Sequence, residues 1–213
     1  MYEELKGQLH DVISGKSQVR FGTAVQAIAS YLEESKGTGG EIEIGKHFKE
    51  QEEKRLIHYI EEHKLWKSEI DFSQYVSEGA EQRVYLKDSE HVLKLNDSIY
   101  YASWRDYFLN LVLHNFFFPD TAYNLLGFII EREVLFAVVE QSFVSVSQCT
   151  DLSQVRDFLS SNGFENIRNN DYYHSDLGII LEDLHDENVL TKNGLLYFID
   201  TVFYLTPAFW DRN

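Results

Sequence analysis

The residues with the clearest chemistry stand in the last third of the chain. Leu181-Glu182-Asp183-Leu184-His185-Asp186-Glu187-Asn188-Val189-Leu190 sets an acid and an amide, with four residues between them, amid apolar runs. A second acid, Asp200, leaves the short run Tyr197-Phe198-Ile199 twelve residues after Asn188. This arrangement suits phosphoryl transfer. The transferred group carries dispersed negative charge, so catalysis is mostly positioning plus stabilisation by magnesium, a hard ion that takes oxygen ligands. In this reading Asp200 and Asn188 hold Mg2+, and Asp183 accepts or orients the proton of the attacking hydroxyl. A plainer account competes with it. Asp and Asn are favoured in turns because they bond their own backbone, so 183–188 also reads as a polar hairpin between strands over 178–181 and 189–191, with Asn193-Gly194 turning the chain back.

Elements upstream come in the order such a site needs. Ser77-Glu78-Gly79-Ala80-Glu81 lies between strand-like runs at 72–76 and 82–86, and Gly79 would cover phosphate in that turn. The alternating run His91-Val92-Leu93-Lys94-Leu95 places Lys94 between apolar neighbours, to contact nucleotide phosphates. A helix over 103–116 carries Asp106 near its start, where it would pair with Lys94. Apolar runs at 125–131 and 134–139, separated by Glu131-Arg132-Glu133, read as a buried hairpin. After it, Glu140-Gln141-Ser142 would be a hinge in which Glu140 and Ser142 offer backbone groups to adenine, with Val139 behind. Thr150-Asp151 opens a further helix closed by Asn162-Gly163. Taken singly, each has a bland alternative: a lysine that snorkels to water, a hairpin glycine, a first-turn acid favoured by the helix dipole. Their joint order carries the argument.

Asp183-Leu184-His185 through Asn188 resembles the D-L-H-x-x-N core of small-molecule kinases of the aminoglycoside and choline phosphotransferase type. From about residue 76 to 205 the chain resembles the polyvalent protein kinases of bacteria and their mobile elements. Glu78-Gly79-Ala80-Glu81, Lys94-Leu95-Asn96-Asp97, Leu113-His114-Asn115, Phe118-Pro119-Asp120-Thr121-Ala122-Tyr123 and Leu184-His185-Asp186-Glu187-Asn188-Val189-Leu190 carry that similarity. The resemblance implies an α+β chain with a reduced protein-kinase-like two-lobe fold, an N-terminal helical extension over 1–70, a small lobe and hinge over 71–145, and a truncated second lobe over 146–213. It also implies ATP and Mg2+ as cofactors. The departures are a phosphate turn with one glycine, Asp106 where a longer Glu is usual, Thr201-Val202 after the metal acid, and the thirteen residues that follow Asp200. Two functional readings follow: a phosphotransferase acting on a small-molecule or protein acceptor, and a kinase-shaped nucleotide-binding or interaction module without turnover.

Residues 1–70 read as helices. Leu5, Leu9, Val12 and Ile13 share one face, and Val25, Ile28 and Leu32 share another after a Thr23 cap. Gly37-Thr38-Gly39-Gly40 marks a linker, and 46–63 repeats Phe48, Leu56, Tyr59 and Ile60 at helical spacing. These helices are expected to pack on the small lobe. The 213 residues are 44% hydrophobic and include 15 Phe and 13 Tyr, enough for a core dominated by rings. With 35 acidic against 19 basic side chains and a formal charge of −16, the surface repels nucleic-acid and anionic-membrane phosphates. The same charge makes magnesium nearly compulsory for binding ATP beside Asp183 and Asp200. Cys149 is the only cysteine, which excludes an intramolecular disulfide and leaves a cysteine nucleophile without a recognisable base. A transition-metal cluster of His174, Asp176, His185, Asp186 and Glu187 has no established ligand spacing. The start of the sequence has no signal-peptide pattern, so a cytoplasmic protein is expected.

Overall fold

Apolar residues three or four apart near the start of the chain fold as amphipathic helices, as their spacing predicts. The computed structural model describes residues 2–34, 46–68, 70–79 and 82–211. Helix α1 (Tyr2–Ile13) buries Leu9, Val12 and Ile13, and α2 (Gly22–Glu34) buries Val25, Ile28 and Leu32. Thr23 does not cap α2: it lies inside the helix and donates to the Gln18 side chain. The buried Gln26 ties the two helices instead, its amide donating to Val12 O at 2.6 Å and Ser17 O at 2.7 Å. Helix α3 (Lys46–Glu62) turns Leu56 and Ile60 inward. The expected linker over 37–40 and residues 80–81 of the expected phosphate turn lie outside the described residues.

The first sheet is antiparallel, in the order β1-β2-β3-β5-β4. Its strands are β1 (Tyr75–Glu78), β2 (Gln82–Leu86), β3 (His91–Asn96), β4 (Asn124–Glu131) and β5 (Val134–Ser142). Residues 72–74, expected as strand, form a short 3-10 turn that Asp71 caps. Arg132 and Glu133 join β4 to β5 with φ of 50° and 68°, the paired left-handed conformation whose twist matches a two-residue hairpin. Helix α4 (Trp104–Phe117) crosses between β3 and β4 and buries Trp104 and Phe108. The outer edge of β4 is covered by residues 65–67, with Lys67 N–H donating to Phe128 O and Phe128 N–H to Leu65 O. Close approach there requires Gly127, whose φ is +143° at a bulge in β4.

A second group of strands follows α5 (Leu152–Ser161), whose N-cap is Asp151. Strands β6 (Glu165–Arg168), β7 (Asp171–His174), β8 (Ile179–Glu182), β9 (Val189–Lys192), β10 (Leu195–Phe198) and β11 (Val202–Leu205) precede the short α6 (Pro207–Trp210). They form a four-stranded sheet, β11-β8-β7-β6, and a separate ribbon, β10-β9. Segment 183–188 is therefore no hairpin: it leaves β8 in one sheet and enters β9 in the other.

One apolar core runs through the whole assembly, from Leu9 and Val12 through Phe108 and Val139 to Leu181 and Phe209. The N-terminal helices touch both sheet regions rather than the first alone. On one side, Trp104 N–H at the start of α4 donates to the buried Glu52 carboxylate at 2.6 Å, and Arg105 pairs with Glu33 at 2.8 Å. On the other, Lys6 donates to Ala208 O at 2.7 Å and His10 stacks on Phe209. Among the described residues no helix is long and apolar enough to cross a membrane.

Gly127→Ala tests the cover on β4. An added Cβ would overlap the Leu65 carbonyl oxygen, and the backbone conformation itself disfavours alanine. The expected loss is about 2 kcal/mol or more in urea unfolding; an unchanged midpoint would show that segment 65–67 is not held against the sheet.

Candidate active site

Strand register sets the site. Glu182 of β8 stands opposite Val202 of β11, and Val189 of β9 stands opposite Phe198 of β10. The connections 183–188 and 199–201 thus leave and enter the same two strand pairs and run side by side. Ile199 N–H donates to Asn188 O at 2.9 Å, which fixes one connection to the other.

Within the first connection Asp183 takes φ +64°, a conformation that Asp tolerates better than most residues. Asn188 Nδ2 donates to both the backbone O and Oδ2 of Asp183, each at 2.9 Å. His185 Nδ1 accepts from Glu187 N–H at 3.2 Å, so its proton sits on Nε2, which faces Asp183 Oδ1 at 3.3 Å. Both carboxylate oxygens of Asp183 are oriented, yet the side chain remains more than half exposed. The amide oxygen of Asn188 has no hydrogen-bond partner among the described residues.

The second connection is held from residues far upstream. Lys94 is 4% exposed, and a buried ammonium costs several kcal/mol unless charge and hydrogen bonds compensate. Its Nζ donates to Ile199 O at 2.8 Å, lies 3.9 Å from Asp200 Oδ2, and sits 5.4 Å from the centre of the Tyr123 ring. Burial pushes its pKa down, and Asp200 pulls it back up. Tyr123 Oη donates to the same Ile199 carbonyl at 2.7 Å. Gln82, at the start of β2, donates its amide to Asp200 Oδ2.

Helix α4 joins this cluster through neutral groups. Asn110 Oδ1 accepts from Phe203 N–H at 2.8 Å. His114 Nε2 lies 3.0 Å from Thr121 O, a carbonyl that can only accept, so Nε2 carries the proton and Nδ1 accepts from Thr201 Oγ1 at 2.7 Å. Burial lowers the His114 pKa to about 3, with Lys94 adding to the effect against the Thr121 carbonyl.

Asp106 needs correction. Its Oδ2 accepts from Ser103 Oγ at 2.8 Å while its N–H donates to the same oxygen at 3.0 Å, a reciprocal cap at the start of α4. The charge acting on Lys94 is Asp200, and Asp106 acts on Lys49 at the far end of the helix. Glu140 also faces elsewhere, accepting from Lys87 and, at 3.4 Å, from Asn124. Glu140 and Ser142 close β5 opposite Leu93 and His91, and β4 reaches only as far as Glu140. Past that point β5 pairs through β3 alone, and Gln141 reaches inward to donate to Thr121 O at 2.7 Å. Val139 is buried opposite Lys94. Gly79 is exposed, and its N–H donates to Gln82 O at 3.0 Å.

Lys94, Asp183, Asn188 and Asp200 are thus linked through the Ile199 peptide, whereas Asp106 and the Glu140 side chain are not. Gln82, Tyr123, His114 and Thr201 belong to the cluster; no role at the site was legible for them, although His114 and Tyr123 stand in stretches that resemble the kinase family. Among the described residues no group of three or more His, Cys, Asp and Glu is placed to hold a metal ion. The alternative cluster is not assembled: His174 is buried, while His185 pairs with Asp183. One carboxylate and one amide oxygen still fit magnesium, which draws its other ligands from phosphate and water. Hollows of about 410 Å3 beside Trp66 and Ile129 and about 880 Å3 beside Lys6 and Asp176 are lined by none of Lys94, Asp183, Asn188 and Asp200.

A lysine strand, a crossing helix and an Asp-x-x-x-x-Asn loop beside a second Asp define a kinase-like site. The family of serine/threonine/tyrosine kinases found in polyvalent proteins matches residues 49–207, and the chain belongs to it. Comparison with curated proteins gives no match, and neither does comparison with solved structures.

His114 gives the cluster a pH signature. A histidine held below its ordinary value binds fewer protons folded than unfolded. Its contribution is therefore complete above about pH 6.5 and is lost as pH falls toward about 3. The stability difference between wild type and His114→Gln, from urea unfolding, should shrink by on the order of 3 kcal/mol between pH 7 and pH 4. A difference that stays level would mean that the imidazole titrates normally.

Proposed function

We propose that this chain is an ATP- and Mg2+-dependent phosphotransferase acting on an alcohol group of a small molecule or protein. Residues 71–145 serve as its small lobe and hinge, 146–213 as a reduced second lobe, and 1–70 as a helical extension. The observation that carries the reading is the Lys94–Ile199–Asp200 contact, which brings a buried ammonium from β3 to the acid that follows β10. Membership of a kinase family supports ATP as the donor.

In this reading Asp200 and the Asn188 amide oxygen hold Mg2+, and Lys94 steadies the phosphates. Gly79 covers them from the β1–β2 turn, and backbone groups at Glu140 and Ser142 meet adenine. Bound magnesium would neutralise charge on the phosphates as the phosphoryl group moves. Asp183, oriented by Asn188 and His185, takes the hydroxyl proton. A formal charge of −16 argues against nucleic acid as partner, and the lone cysteine fits a reducing cytoplasm. Two observations favour the second reading, a kinase-shaped binding module: Gln82 occupies an oxygen of Asp200, and no α4 acid acts on Lys94.

Thermal denaturation with MgATP separates the two. At about one hundred times its dissociation constant the nucleotide adds roughly 2.7 kcal/mol of stability, and Asp200→Ala and Lys94→Met should reduce that gain. Asp183→Ala should keep it and lose labelled-phosphate transfer by roughly 100-fold or more. Stabilisation without product, across candidate acceptors and self-modification, would favour the binding module. No stabilisation would remove the nucleotide site altogether.

A further inference from the structure

The contact between Gln82 and Asp200 joins residues 118 positions apart, and neither the charge pattern nor the loop motif calls for it. Gln82 opens β2 opposite Asn96, and the Gly79 N–H holds its carbonyl at 3.0 Å, so its side chain is aimed by both the sheet and the turn. The amide N–H it presents to Asp200 Oδ2 is a donor at the oxygen that also faces Lys94. A divalent cation and an N–H donor both seek that carboxylate oxygen and repel one another there. A nucleotide phosphate, in contrast, offers new acceptors to the same N–H.

We propose that Gln82 is a positioning residue that holds Asp200 before nucleotide binds and passes its N–H to a nucleotide phosphate when the metal takes the carboxylate. The inference rests on the assignment of Asp200 to the metal. It makes the side chain a competitor of the free cation and a helper of the metal–nucleotide complex, so its removal must act with opposite sign on the two. A merely structural role cannot do that.

Gln82→Met keeps the length of the side chain and removes the donor, and Gln82→Asn keeps the donor and removes the reach. Mn2+ binding without nucleotide, followed by electron paramagnetic resonance, should tighten roughly fivefold in both variants, the equivalent of one net hydrogen bond. MgATP affinity, from the fluorescence of a labelled nucleotide under competition, should weaken by a similar factor. Unliganded melting at the wild-type temperature would show that both variants fold. Weakening in both assays would overturn the proposal in favour of Gln82 as a metal ligand or a structural prop, and no change in either would show the contact to be idle. Wild-type protein that binds neither Mn2+ nor nucleotide would overturn the nucleotide-site reading itself, and this inference with it.

Discussion

The burial of Lys94 constrains everything around it. A charged group at 4% exposure has to find its compensation inside the protein, and β3 offers none along its own length. The carbonyl of Ile199, the carboxylate of Asp200 and the face of Tyr123 supply it. Two of these three come from the connection between β10 and β11, so the ammonium can be satisfied only when the two sheet regions meet. Folding and assembly of the site are the same event at this point. The Ile199 peptide is the junction: its N–H faces Asn188 and its carbonyl takes both Lys94 and Tyr123.

Around that junction the protein uses neutral hydrogen bonds where a second acid was expected. Asn110 and His114 present an amide oxygen and an unprotonated nitrogen to the segment that follows Asp200, and both are buried. An additional carboxylate there would compete with Asp200 for Lys94 and add to an already acidic chain. Neutral partners fix position without changing the charge. Helix α4 is fixed in turn at its other end by the carboxylate of Glu52, where unpaired N–H groups and the helix dipole favour an acid. Residues 1–48, although outside the family match, contribute Leu9, Val25 and Leu32 to the common core.

What the sequence disclosed was local. The period of two around Lys94, the helical spacing in α1 and α4, the Asp151 cap and the strands of the first sheet all depend on residues a few positions apart and were legible, whereas β6, β7 and β11 were not. The sharper misreading, Asp106, was also local. Ser103 stands three residues before it, and a hydroxyl with an acid at that spacing is a capping signature that satisfies Asp106 without Lys94. The roles of Tyr123, Thr201 and Gln82 were not legible because they lie in partners brought near by pairing between distant strands. The 183–188 loop was ambiguous for the same reason: whether it is a hairpin depends on what β8 and β9 pair with, and their partners are β7, β11 and β10.

The two connections at the site differ in what holds them. Segment 183–188 is tied mostly to itself, with Asn188 and His185 both anchored on Asp183, so its geometry is set within a few residues. Segment 199–201 is held by Lys94, Tyr123, His114 and Gln82, all from residues 82–123. Under the proposed function, Asp183 and Asn188 are preset, and Asp200 responds to the first sheet. Helix α1 contacts α6 while α2 and α3 hold α4, which opposes wholesale movement of one sheet region against the other. Strand β1, by contrast, is an exposed edge paired only with β2. Gln82, at the start of the neighbouring β2, is the side chain through which this side of the sheet reaches Asp200.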